Sequence, residues 1–170
     1  MIISRITGGI GNQLFQYAIA KSISVKNADI FKLDIHPYKN YMLHSGYRLN
    51  LLNIEENIAN SEEILNLKGN DNKLFKVLRK LKIYKRNTYL KEKHAMNFDP
   101  DVFNYNNIYL NGYWQNEKYF INIRDILLRE LTPKKKISEI ANNYLSNIQN
   151  TISVGLHVRR GDYLKLPHLG

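Results

Sequence analysis

Cysteine is absent from the 170 residues of the chain, and that one absence removes several chemistries. No disulfide scaffold, thiolate zinc site, iron–sulfur cluster or cysteine nucleophile can be built from it. A reducing cytoplasm fits such usage. Proline (4) and glycine (9) are scarce, which excludes collagen-like and linker-like compositions. No apolar run approaches the ~18 residues that a membrane span needs. Ala18-Ile19-Ala20 imitates a signal-peptidase site, but Gly8, Gly9, Gly11, Asn12, Gln13 and Gln16 break the apolar stretch that must precede one. No secretion signal is read here.

Acid is also in short supply. Lys and Arg total 25 against 15 Asp and Glu, a net charge of +10. Such a balance points to an anionic partner, whether phosphate, nucleic acid or a membrane surface. Hydrophobic residues make up 44% of the chain, enough apolar matter to offset chain entropy, so the chain folds rather than staying disordered. At about 150 residues per domain, the length suits roughly one domain.

Met1 to Ile6 reads as a short strand, Thr7 to Gly11 as a turn, and Asn12 to about Lys26 as a helix. In that helix Leu14, Phe15, Ala18, Ile19, Ser22 and Ile23 recur at helical spacing, and Asn12 is placed as its N-cap. Asp29 to Asp34 reads as a second strand. Strand, glycine turn, helix and strand form a βαβ unit, which predicts a parallel sheet and an α/β fold. Residues 35–50 read as a loop. Lys73 to Arg86 forms a basic amphipathic helix candidate, with Leu74, Val77, Leu78 and Leu81 on one face. Further on, a strand is expected over 108–113, a helix over 117–131, a helix over 137–148 and a buried strand from Thr151 to Val158.

Two places carry candidate chemistry. In Gly8-Gly9-Ile10-Gly11-Asn12-Gln13, a glycine turn enters a helix, so backbone amides and the helix dipole can hold an anion. One reading is a dinucleotide fingerprint with Asp34 on the ribose, although its third glycine would fall on Leu14. Another is a tight strand-to-helix turn without a ligand. The second place is His157-Val158-Arg159-Arg160-Gly161-Asp162-Tyr163. A strand delivers two arginines to its carboxyl end, where α/β folds bind ligands. Asp162 can neutralise one guanidinium and leave the other free for a phosphate, which it grips through two parallel charge-assisted bonds. A bare Arg–Asp ion pair at a strand end is the plainer alternative.

Together these strings resemble the glycosyltransferase family 11 α-1,2-fucosyltransferases. Gly8 to Ala18 is similar to that family's opening signature. His157 to Tyr163 is similar to the H-x-R-R-x-D motif shared with α-1,6- and protein O-fucosyltransferases. Tyr109-Leu110-Asn111-Gly112-Tyr113-Trp114-Gln115-Asn116-Glu117-Lys118-Tyr119-Phe120 resembles the family's middle block, and Tyr47 to Ile54 also fits. The resemblance runs the length of the chain.

The resemblance implies a GT-B fold of two Rossmann-like domains facing each other across a cleft. Residues 1–150 would form the acceptor-side domain, and residues 151–170 would begin the donor-binding domain, whose remainder is absent. It implies inverting transfer of L-fucose from GDP-fucose to the 2-hydroxyl of a galactoside, which could be a lipid-linked glycan, without a required metal or other cofactor. Carried over, Arg159 and Arg160 would bind the donor diphosphate, and His157 and Tyr163 would help hold the nucleotide. Asp162 would hold the loop, and Gly9, Gly11, Asn12 and Gln13 would face the cleft. Arg160, Asp162 and His157 are the catalytic candidates, the general base being either of the last two. The isolated chain is expected to be inactive. A cytoplasmic protein touching the inner membrane face through Lys73 to Arg86 is expected, with no nucleic acid bound. A basic, non-catalytic module for a membrane or nucleic acid is the alternative.

Overall fold

The structure is a computed structural model that describes residues 1–40, 46–69, 77, 81, 87–156 and 158. It divides into two compact units, Met1–Lys134 and Lys135–Gly170.

The first unit is built on four short strands: β1 (Ile2–Arg5), β2 (Phe31–Asp34), β3 (Tyr89–Lys91) and β4 (Ile108–Asn111). All pair in parallel, in the order β2-β1-β4-β3. The expected α/β class and parallel sheet are therefore present, in a Rossmann-like arrangement. β1 and β4 are central, and their residues are buried except at the carboxyl end. That explains why both read as near-continuous apolar runs.

Side-chain alternation sorts the two faces. Ile2, Ile6, Phe31, Leu33, Ile108 and Leu110 belong to the main core, together with Tyr17, Ile19 and Ile23 of α1 (Ile10–Asn27). Ile3 and Tyr109 project the other way, into a smaller cluster with Ala59 and Leu67. That second face is covered by α2 (Ser61–Lys68). Asn60 caps α2 through a reciprocal pair: its side chain accepts from the Glu63 amide at 2.9 Å, and its own amide donates to the Glu63 carboxylate at 2.9 Å. Lys32 of β2 fastens the same glutamate and holds its carboxyl below the usual range.

The expected helix over 117–131 is shorter. Asn116 caps a 3-10 turn (Glu117–Tyr119), and Phe120 then leaves helical geometry at φ −142° and ψ 10°. A second turn (Ile121–Ile123) precedes α3 (Arg124–Glu130). The residues read as loop include 3-10 turns at His36–Asn40 and Leu49–Leu51. Most of the basic helix candidate at 73–86 lies outside the described residues.

In the second unit, α4 (Glu139–Gln149) starts at the Ser138 cap, near its expected position. The strand expected over 151–158 does not form among its described residues. Residues 151–156 and 158 pair with no strand, and Ile152, Val154 and Leu156 are at least 90% exposed. A strand needs a neighbour for its backbone donors and acceptors, and none of the described strands supplies one.

Candidate functional site

The carboxyl ends of β1 and β4 lie side by side, with β2 and β3 on opposite flanks. Open α/β sheets bind ligands outside the carboxyl ends of their strands. Two chain segments meet there, the glycine turn after β1 and the Gly112 turn after β4.

Gly8 adopts φ +78°, and a Cβ on it would meet the Asn12 side-chain nitrogen at 2.5 Å. Only glycine serves there. The N-cap of α1 is Gly9, not Asn12. Gly9 has an extended backbone (φ −72°, ψ 171°) and no side-chain cap, and the first turn of the helix holds no acid. The chain has already turned by Gly9, which puts Asn12 one residue short of a full helical turn past the cap. Its carbonyl oxygen instead accepts from Gln115 Nε2 at 2.7 Å. The first-turn amides thus keep the positive end of the dipole open beside exposed Ile10 and Gly11.

Two fully buried glutamines hold this turn. Gln13 Nε2 donates to the carbonyls of Gly8 at 2.9 Å and Gly46 at 3.0 Å, and its Oε1 accepts from the Arg48 amide at 2.9 Å. Gln16 Oε1 accepts from the Thr7 amide at 2.8 Å, while its Nε2 donates to Gly112 O at 3.1 Å and Thr7 Oγ1 at 3.3 Å. The Tyr38 hydroxyl also donates to Gly8 O at 2.6 Å. Gln13 was expected to face the cleft. Its amide is engaged inside the framework, so in this structure it positions the turn. Gln16 was not singled out from the sequence. Its only signal was a polar residue on the apolar face of an amphipathic helix.

The β4 turn is held from β3. Both Glu92 carboxylate oxygens accept backbone amides, from Tyr113 at 2.7 Å and Trp114 at 3.0 Å. Trp114 sits at φ +57°, a left-handed conformation rare for a bulky residue. Gly112 has no room for a methyl: an added Cβ would lie 2.4 Å from Glu92 Cβ and 3.0 Å from Trp114 Cε2.

On the second face, Tyr109 donates to the buried Asp34 at 2.5 Å, and the same carboxylate holds the His36 amide and ring Nδ1, each at 3.0 Å. Burial, and then the charge of Asp34, pushes the Tyr109 hydroxyl pKa well up. Asp34, an expected ribose contact under the dinucleotide reading, is thus tied into this cluster. Arg5, at the end of β1, donates to Asn111 Oδ1 at 3.1 Å.

His157, Arg159, Arg160, Asp162 and Tyr163 lie outside the described residues. Of the expected site, the structure thus brings together the glycine turn and the middle block, through the bonds from Gln16 to Gly112 and from Gln115 to Asn12. Among the described residues, no three His, Asp or Glu side chains gather as a metal site, and no described helix is long and apolar enough to cross a membrane.

Fold and site define a parallel α/β domain with an open glycine turn at the carboxyl end of its sheet. The sequence model of glycosyl transferase family 11 matches residues 1–169, and the chain belongs to that family. It is 34% identical over 169 residues to an alpha-1,2-colitosyltransferase of Escherichia coli. That match covers 96% of this chain but only 56% of the relative, so the chain spans little more than half the relative's length. No solved structure matches it.

Proposed function

We propose that the chain contributes the acceptor-side domain of an inverting α-1,2-fucosyltransferase, which moves L-fucose from GDP-fucose to the 2-hydroxyl of a galactoside during glycan synthesis. The observation that carries this reading is the match to family 11 over residues 1–169, joined to an uncapped, acid-free glycine turn at the carboxyl end of β1. The α-1,2 linkage in the relative's name supports the 2-hydroxyl. The fucosyl donor rests on the motifs.

In this reading residues 151–170 begin the donor-binding domain of a GT-B fold. Alternate apolar residues Ile152, Val154, Leu156 and Val158, all exposed here, have the period-2 pattern of a strand that a sheet would cover. Arg159 and Arg160 bind the donor diphosphate with His157 and Tyr163, and Asp162 holds their loop. Breaking the anomeric bond builds negative charge on the departing GDP, and preplaced guanidinium groups stabilise it. Gly9, Gly11 and Asn12 face the sugar and acceptor, and the buried Gln13 positions that turn. The chemistry calls for no metal, and the 170-residue chain alone does not transfer. A lipid-linked acceptor would place the enzyme at the inner membrane face, with residues 73–86 as the contact.

A thermal-shift series tests this reading, because a ligand that binds the native state raises its melting temperature. The protein purified from its source cells should be stabilised by GDP and GDP-fucose. Stabilisation by NAD or by an oligonucleotide instead would replace the transferase with a dehydrogenase or a basic binding module.

A further inference from the structure

The chain segments after β3 and β4 hold a pocket of about 290 Å³ that no step above uses. Lys91, Lys93, His94, Asn97, Phe98 and Trp114 are among its lining residues. The volume lies just below the ligand-pocket range, which begins at about 300 Å³. That suits one sugar ring and is small for a nucleotide.

Its chemistry matches the same class of ligand. A pyranose has an apolar C–H face and a rim of hydroxyls. The pocket offers aromatic carbon from the half-buried Phe98 beside the amide of Asn97 and the imidazole of His94, while Trp114, which also lines it, is 2% exposed. The acids here are already engaged: Glu92 holds the Tyr113 and Trp114 amides, and Asp99 pairs with Lys93 at 3.2 Å and caps Asp101.

The pocket is also rigidly built. Asn116 Nδ2 donates to Met96 O at 2.8 Å, the Tyr119 hydroxyl donates to Asn97 O at 3.1 Å, and the Asp99 amide donates to that hydroxyl at 2.8 Å. Such bonds fix the walls before any ligand arrives, which lowers the cost of binding. Trp114, among the lining residues, belongs to the turn after β4, which Gln115 fastens to Asn12 of the glycine turn. An occupant would therefore touch the turn that adjoins the one the reaction uses.

We infer that this pocket is an acceptor subsite, holding one sugar unit of the acceptor glycan. The inference rests on the glycosyltransferase reading and adds to it the residues that grip the acceptor. Trp114 is the only tryptophan in the chain, so tryptophan emission comes from this one pocket-lining residue. Lactose and N-acetyllactosamine, titrated into the full chain, should give a saturable change in emission. Asn97→Ala and His94→Ala, both at exposed positions, should each weaken it about tenfold, the size of one or two lost hydrogen bonds. GDP should not compete.

Three results would overturn the inference. One is glycan binding seen by saturation-transfer NMR with Trp114 emission unchanged and both variants at full affinity. Another is displacement of the glycan by GDP. The third is no binding of either glycan. The transferase reading is decided separately, by transfer from GDP-fucose, and survives the first two results.

Discussion

Adding one methyl group to Gly112 and to Gly11 should have opposite effects. At Gly112 the new Cβ would lie 2.4 Å from Glu92 Cβ and 2.7 Å from Glu92 Oε2, inside any real contact. The backbone of β3 and the Trp114 ring leave little freedom to yield. Overpacking of this kind costs about 1–3 kcal/mol. If Glu92 moves, the Tyr113 and Trp114 amides lose a carboxylate acceptor, and such bonds are worth roughly 1.5–3 kcal/mol each. We therefore expect Gly112→Ala to destabilise the first unit by at least about 1–3 kcal/mol, and by about 3–6 kcal/mol if both bonds are lost. For a chain of this size the melting temperature falls by about 2–4 °C per kcal/mol.

At Gly11 nothing lies within 4 Å of the added Cβ, and the residue is helical. Gly11→Ala should stabilise by about 0.4–1 kcal/mol, chiefly by restricting the unfolded chain. Urea unfolding followed by far-UV circular dichroism reads both. A Gly112→Ala variant within about 0.5 kcal/mol of the parent would refute the Glu92 clamp. A destabilised Gly11→Ala would refute the open turn.

Three further outcomes follow from the same geometry. Gln16→Leu keeps the volume but strands the Thr7 amide and takes a donor from Gly112 O, so urea unfolding should show a loss of about 2–4 kcal/mol; a loss below about 1 kcal/mol would show that the two turns hold without it. Burial raises the hydroxyl pKa values of Tyr17 and Tyr109 in the folded state, further helped by Glu130 and Asp34 respectively. The unfolded state therefore loses these protons first, and stability should be full below about pH 10 and fall as pH rises above it. Tyr109→Phe should flatten that fall, measured as urea midpoint against pH; an unchanged slope contradicts the assignment. In the active enzyme Arg160→Ala should cut transfer by about 10²–10³, or roughly 3–4 kcal/mol. Initial rates with GDP-fucose check this, and retention of more than about a tenth of the rate would remove Arg160 from the diphosphate role.

The βαβ opening was legible because its signals are local. Ile2, Ile3 and Ile6 mark a buried strand, Gly8 a turn, and Ala18, Ile19 and Ile23 a helix face. α4 was legible too, expected over 137–148 and found at Glu139–Gln149. β3 was not, because Tyr89-Leu90-Lys91 is three residues long and owes its strand geometry to β4. α2 is eight residues long and was equally silent, although Asn60 and Glu63 spell out its cap. The helix expected over 117–131 failed at Phe120, whose ring meets Phe15 edge-on at 5.7 Å, a contact no window of sequence contains.

The site shows the same division. Glycines at a turn can be seen in a string, whereas Gln16 and Glu92 matter through bonds to residues 96 and 21 positions away. Asn12 looked like a cap because Ser, Thr, Asp and Asn usually are. Gly9 took that role, since the left-handed Gly8 had already turned the chain. The expected strand over 151–158 has the right alternation, but alternation only proposes a strand. A neighbouring strand must complete it.

The central claim is tested most directly by incubating the protein purified from its source cells with GDP-fucose and lactose, with EDTA present, and determining the product by NMR. The account predicts release of GDP together with a trisaccharide carrying α-L-fucose on the galactose 2-hydroxyl, while the 170-residue chain alone gives none. No transfer from GDP-fucose by the purified protein, or a fucose linked at another hydroxyl, would contradict it.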